Sequence, residues 1–287
     1  MGQQTIDKAV SVSGTGLHSG APCTVQLQPA APGSGIRFTD LSEPSAAAIP
    51  AHVDRVTDTR LATTLTAAGR SVQTVEHLLS AVRGLEVDNL EIAVQGPEVP
   101  VMDGTAEPWA RALRSAGLVA QSAPRTVLVV DRTVRVTLGE SWVEASPAKG
   151  LELQLTIDFD HPMVGVQELR WMCTEGAFEA ELAWARTFGF ERDVAALQRM
   201  GLIAGGSLDN ALVFSEAGLL NEEGLRRPDE PVRHKAMDML GDLALIGHPV
   251  RGRFTAARPG HGRVIALIRA LMDDREAWHL ETGGAEP

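Results

Sequence analysis

Cysteine, lysine and long apolar runs are all scarce in this 287-residue chain. Its two cysteines, Cys23 and Cys173, are too few and too isolated for a disulfide framework or a Cys-based zinc site, and a reducing compartment is expected. No apolar run approaches the ~18 residues of a membrane-spanning helix. The opening MGQQTIDKAV lacks the apolar region of a secretory leader, and Ile6 breaks the myristoylation pattern. Positive charge is short as well. A balance of 26 Lys plus Arg against 37 Asp plus Glu gives a net charge of −11, which excludes the basic stripe of a nucleic-acid binder. A soluble, cytoplasmic protein is expected. Its length and 44% hydrophobic content suit one large domain or two of ordinary size.

Of the 26 basic residues only Lys8, Lys149 and Lys235 are lysines. Where nearly every cation is arginine, a compact ammonium suits a single-point contact to a phosphate or carbonyl oxygen. Lys235 lies in VRHKAMDMLGDLAL (232–245), whose composition is unusual for a helix. At ~100° per residue, His234, Asp238 and Asp242 share one narrow arc with Lys235 at its edge. Ala236, Met237, Met239, Leu240, Leu243, Ala244 and Ile246 cover most of the remaining circumference. A helix apolar over that much of its surface is normally buried, so the polar stripe must face a cavity, a partner or an ion. The plain alternative is a buried helix whose acids pair with distant arginines. Against it, Asp238 and Asp242 stand at i,i+4, where like charges repel and buried carboxylates need strong compensation. His and Asp at i,i+4 form a natural pair of metal ligands, though that spacing alone is a weak signal and needs a third ligand from elsewhere.

The rest of the chain mixes strands and helices. Gly14-Thr15-Gly16 in SGTGLHSG leads into the strand-like CTVQLQPA rather than a helix, so it is a turn carrying His18 and not a dinucleotide fingerprint. Helices are expected over 74–85, 106–118, 191–200, the 232–245 segment and 262–274. Strands are expected over 89–96, 126–136 and 151–159. The small-residue stretch VAQSAPR (119–125) reads as a linker between domains, and ETGGAEP as a frayed tail. Each half then holds several strands and about two helices, an α+β layout repeated in two domains, 1–122 and 126–287. On the 74–85 helix the apolar face centres on Val75, which directs His77 to the opposite, solvent side. A Glu76 next to a metal-ligating His77 would alternatively reach a water on that metal as a base.

GTGLHSG, TVEHLLSAVRGLEVDN, GPEVPVMDGTAEP, DFDHP, ARTFGF, GGSLDNALV, LNEEGL, VRHKAMDMLGDLALIG and TAARPGH occur here in one order. In that order they resemble the UDP-3-O-acyl-N-acetylglucosamine deacetylase family, zinc amidases of lipid A biosynthesis, over about residues 4 to 272. The resemblance implies His77, His234 and Asp238 as zinc ligands, with iron(II) an alternative ion in the cell. It implies Glu76 as general base, His261 as general acid, Asp242 as the carboxylate orienting His261, and Thr187 as a hydroxyl on the reacting carbonyl oxygen. Lys235 would contact that region or the diphosphate. Phe159, His161, Phe188, Arg258 and Leu61 match substrate-binding positions, and Phe190, Val194, Leu197 and Leu202 would line an acyl-chain passage formed by an insert at about 188–211. The family's fold is two α+β domains, each a sheet layered with helices, with the helical layers facing each other across the site. Arg227 and Pro231 stand where the family often has bulkier apolar residues, and Ala62 where some relatives have Cys. No dehydratase domain follows the resemblance, so the single-function form is expected.

The implied reaction is metal-dependent hydrolysis of the N-acetyl group of UDP-3-O-(3-hydroxyacyl)-N-acetylglucosamine to acetate and a free amine. The expected partner is this small-molecule nucleotide sugar, with no nucleic acid, at most peripheral membrane contact through the acyl chain, and a monomeric protein. Two other readings stay open from the residues: a zinc deacetylase of another amino sugar or nucleotide sugar, and a catalytically silent protein that binds the nucleotide-sugar lipid. A silent binder has no need of both an acid and a base, and Glu76 with His261 weighs against it.

Overall fold

The computed structural model describes residues 2–283, which form five β-sheets and six α-helices. In the first half, strands Val10–Thr15, Pro22–Pro29, Leu90–Gln95, Ile36–Asp40 and Ile49–Pro50 make one sheet in that order. Its core face follows the period-2 rule: in Pro22–Pro29, Cys23, Val25 and Leu27 turn inward while Thr24 and Gln26 are partly exposed. Two helices pack on this half, α1 (Glu76–Gly84) and α2 (Glu107–Ala116), the latter with Pro108 in its first turn.

The second half is built on a seven-stranded mixed sheet. Its hub is Val250–Ala257, which pairs antiparallel with Ser141–Ser146 and parallel with both Thr126–Val130 and Leu151–Phe159. Strands Phe188–Phe190, Leu212–Ser215 and Gly218–Leu219 form a separate small sheet. The helices here are α3 (Ala177–Glu181), α4 (Glu191–Arg199), α5 (Glu230–Leu243) and α6 (His261–Asp273). The architecture is α+β. Among the described residues no strand ladder joins the chain before Arg125 to the chain after it; the halves meet chiefly through helices.

α1 and α5 form the principal helix contact between the halves, and glycine permits it. A Cβ at Gly241 of α5 would collide with the carbonyl oxygen of Glu76, and one at Gly84 of α1 with the ring of Phe178. At Gly241 only a residue without a side chain allows the two helix backbones this close, while at Gly84 the room is taken by the Phe178 side chain.

Several expectations are corrected. The stretch 119–125 is not a linker: Leu118–Pro124 is a strand, antiparallel to Gly2–Ile6. Its small residues still alternate in exposure, as an edge strand requires. The expected strand 126–136 is two, Thr126–Val130 and Val134–Leu138, separated at 131–133 where the chain turns to different neighbours. Among the described residues the second half holds four helices, the three expected over 191–200, 232–245 and 262–274 and the short α3, whose five residues carry little periodicity. Glu281 and Thr282 of the expected tail belong to strand Trp278–Thr282, and 284–287 lie outside the described residues. Finally, the α1 face carrying His77 is buried, because α5 covers the side that would otherwise meet solvent.

Candidate metal and acid–base site

The α1–α5 contact sets two short polar sequences against each other. Thr74 lies in the left-handed region (φ 58°), and the chain then enters α1 directly at Glu76 and His77. From the opposite side α5 presents His234, Asp238 and Asp242, all buried. One ligand atom each from His77, His234 and Asp238 fall within 4.8 Å of one another. Asp238 Oδ1 is 3.5 Å from His77 Nε2 and 3.3 Å from His234 Nε2. Donors about 2.0–2.1 Å from a tetrahedral centre are separated by roughly this much.

The remaining atoms of the cluster are arranged to leave those donors free. His234 Nδ1 lies 3.2 Å from the Ala185 carbonyl, which fixes the proton there and leaves Nε2 with its lone pair. Burial pushes His234 down to about 3, so the ring is neutral. Lys235 Nζ donates to Asp238 Oδ2 at 2.9 Å, while buried Oδ1 has no hydrogen bond among the described residues. Burial opposes charge on Asp238, but the Lys235 ammonium beside it helps hold the carboxyl well below its usual range. Two neutral-capable imidazoles and one anionic oxygen, one of them an orphan, fit a divalent cation.

Beside this cluster stands a second one. His261, first residue of α6, has Nδ1 2.8 Å from Asp242 Oδ2 and Nε2 3.8 Å from Glu76 Oε1. Burial opposes a charged ring, but Asp242 and Glu76 outweigh it and raise His261 to about 10. Burial pushes the Glu76 carboxyl up, against the pull of His261. Thr63 joins the two carboxylates: its N–H donates to Glu76 Oε2 at 3.0 Å and its hydroxyl to Asp242 Oδ1 at 2.7 Å. Thr63 is fully buried, and no local signal marks it, since a threonine pair before a short strand has no distinctive pattern. An acid held charged and a base held near it, both within reach of an ion site, can move protons to and from a reacting group.

A cavity of about 880 Å³ opens from these clusters. Glu76, His77, His234, Lys235, Asp238 and His261 line it together with Leu61, Phe159, Thr187 and Phe188. Asp242 does not; it sits behind His261. Phe190, Val194 and Leu197 line the arm beneath α4, whereas Leu202 does not and its neighbour Ile203 takes that place. Arg258 and His161 line a separate groove of about 600 Å³, adjoining the cavity through Phe159. Arg258 is ion-paired to both Glu140 and Asp158. Both nitrogens of His161 are engaged, Nε2 with the Ser215 carbonyl at 2.9 Å and Nδ1 with the Met163 N–H at 3.2 Å, which fixes the ring in the groove wall. Arg227 stacks on Trp184, Pro231 occupies the first turn of α5, and Ala62 is buried.

The sequence also matches known proteins. Residues 3–273 match the family model described as LpxC: UDP-3-O-acyl N-acetylglycosamine deacetylase. Proteins named UDP-3-O-acyl-N-acetylglucosamine deacetylase are similar over nearly the whole chain. That of Myxococcus xanthus (strain DK1622) is 46% identical over 280 residues, covering 97% of this chain and 88% of the relative. That of Psychrobacter arcticus is 45% identical over 284 residues, covering 98% and 89%. That of Haemophilus influenzae (strain PittEE) is 43% identical over 285 residues, covering 98% and 93%.

Proposed function

Because the chain belongs to the UDP-3-O-acyl N-acetylglycosamine deacetylase family, we infer that it removes the N-acetyl group from a UDP-3-O-acyl-N-acetylglucosamine, releasing acetate and a free amine. This is a deacetylation of lipid A biosynthesis. The observation that most supports the reading is the convergence of His77, His234 and Asp238 beside the Glu76–His261 pair at one end of a large, mostly apolar cavity.

In this reading His77, His234 and Asp238 hold a divalent ion. The two-imidazole, one-carboxylate set suits zinc and also iron(II). When bound there, the ion would supply Lewis acidity to a water and to the acetyl carbonyl. Glu76 takes a proton from the attacking water, and its burial raises its basicity. Charged His261 first donates to the developing oxyanion and then protonates the leaving amine. Asp242 orients the ring through Nδ1 and favours its charge. Thr187 offers its hydroxyl to the carbonyl oxygen, and Lys235 both neutralises Asp238 and faces the substrate. Phe190, Val194 and Leu197 take the acyl chain, while Leu61, Phe159, Phe188 and Arg258 meet the sugar and nucleotide. The two α+β units, 1–122 and 126–287, act as domains that each contribute one side of the site.

We further propose a cytoplasmic monomer that meets a membrane only through its substrate's acyl chain. No described helix is long and apolar enough to cross one. Mass-spectrometric detection of acetate released from the acylated nucleotide sugar by metal-loaded protein tests the function. Turnover confined to other amino sugars would refute it.

A further inference from the structure

His18 is the one prominent residue of the glycine-rich turn that the proposed chemistry leaves without a task. It is 6% exposed and is among the residues that line the main cavity, as are Leu17 and Ile203. The turn is anchored from below by Glu98, a carboxylate with no exposed surface. Glu98 accepts from the His18 N–H at 3.0 Å, the Ser19 N–H at 2.9 Å, the Ser19 hydroxyl at 2.8 Å and the Thr74 hydroxyl at 2.7 Å. Burying a charge is costly unless it is so satisfied, and here burial's upward push on Glu98 is overcome by these donors. The same carboxylate therefore fixes both the His18 backbone and the left-handed residue that leads into Glu76 and His77.

From above, the turn is clamped to the loop after α4. The Ala204 N–H donates to the His18 carbonyl at 3.2 Å and the Gly205 N–H to the Leu17 carbonyl at 3.0 Å. His18 thus stands at the seam between the acid–base cluster and the apolar arm. Its Nδ1 accepts from the Ile203 N–H at 3.4 Å, which places the ring proton on Nε2. Burial lowers the pKa of the ring, against the pull of Glu98, so it is a neutral donor. Nε2 is buried and has no partner among the described residues. A buried, oriented, unsatisfied donor in a satisfied framework calls for a ligand acceptor. A neutral N–H at this seam suits an uncharged oxygen better than a diphosphate.

We propose that His18 is a specificity residue whose Nε2–H donates to the ester carbonyl that joins the acyl chain to the sugar. The assignment rests on the deacetylase reading above, and acetate release by the unaltered protein tests that reading separately. The discriminating experiment compares kcat/KM for three substrates: the ester-linked substrate, an ether-linked analogue lacking the carbonyl, and the unacylated nucleotide sugar. His18→Ala should lower kcat/KM for the ester roughly 5- to 10-fold more than for either other substrate, the scale of one neutral hydrogen bond. The loss should fall mainly on KM, as removal of uniform binding does.

Two further variants separate recognition from scaffolding. The amide nitrogen of His18→Gln reaches the place of Nε2 and should restore most of the difference. His18→Asn replaces only the Nδ1 contact to Ile203 and should behave like His18→Ala. Equal losses on all three substrates, rescue by Asn rather than Gln, or no loss at all would each overturn the proposal.

Discussion

The hydroxyl of Thr63 donates a 2.7 Å hydrogen bond to Asp242 Oδ1, while its own backbone N–H holds Glu76 Oε2 at 3.0 Å. One buried residue of the first half thereby fixes a carboxylate from each half, one beside the ion cluster and one behind His261. Removing the hydroxyl isosterically should loosen Asp242 and with it the aim of His261. Thr63→Val is expected to fold, keep its metal and lose about 10-fold in kcat, a hydrogen bond to a charged group being worth ~1.5–3 kcal/mol. Thr63→Ser should recover most of the rate. A Val variant as active as the unaltered protein would show that the contact does nothing for turnover.

The ion cluster is tested by composition. About one tightly held divalent ion per chain is expected from a three-ligand catalytic site. Alanine at His77, His234 or Asp238 should each strip it, whereas Lys235→Ala should weaken it less, because Lys235 binds the Asp238 oxygen that faces away from the imidazoles. Elemental analysis finding full occupancy in any two of the three alanine variants would end the ligand assignment.

How much of this was legible beforehand depended on range. The α5 stripe was readable because His234, Asp238 and Asp242 recur at the helical period inside one apolar segment, and the structure does turn that stripe inward. The α1 face was not: nine residues give an amphipathic pattern whose polar side looks solvated until α5 is known to lie on it. Glu98 and Thr63 were out of reach for a simpler reason. Glu98 reaches His18 across 80 residues and Thr63 reaches Asp242 across 179, and no local pattern encodes such pairings. The stretch 119–125 reads as a linker because small polar residues and a proline suit a linker as well as an edge strand, and only the pairing of Leu118–Pro124 with Gly2–Ile6 decides. Leu202 missed the cavity by one position because a turn, unlike a helix, has no period to extrapolate.

The apolar arm should express itself in rate. Each buried CH₂ is worth ~0.8 kcal/mol, so shortening the acyl chain should reduce kcat/KM progressively and removing it should cost orders of magnitude. Val194 and Leu197 line the arm from the largely exposed α4, so polar replacement there should spare folding. Leu197→Gln should reduce the advantage of long chains while Leu202→Gln, outside the cavity, should not. The comparison is a chain-length series of kcat/KM values. Equal efficiency with the unacylated sugar would point to another amino-sugar substrate.

The acid–base pair makes a prediction with a definite sign in pH. Activity should be bell-shaped, rising as Glu76 ionises and falling as His261 loses its proton. Glu76→Gln and His261→Ala should each keep metal and lose ~10²-fold or more in kcat, with Asp242→Asn losing less. A bound dication lowers the pKa of nearby groups, so the His261 shift is best read in metal-stripped protein. There the folded ring titrates at about 10 against 6.5 unfolded, so its stabilisation is fully present below pH 6.5. It is lost as pH rises from 6.5 through about 10, because the unfolded chain releases the proton first. His234 acts in the opposite direction: held neutral down to about 3, it stabilises above pH 6.5 and loses that contribution as pH falls toward 3. Metal-stripped His261→Gln should therefore show a flatter fall in Tm between pH 6.5 and 10, with its acid-side decline unchanged. If the variant and the unaltered protein lose Tm in parallel across that alkaline window, His261 is not charged in the folded state, and its role as the acid fails with it.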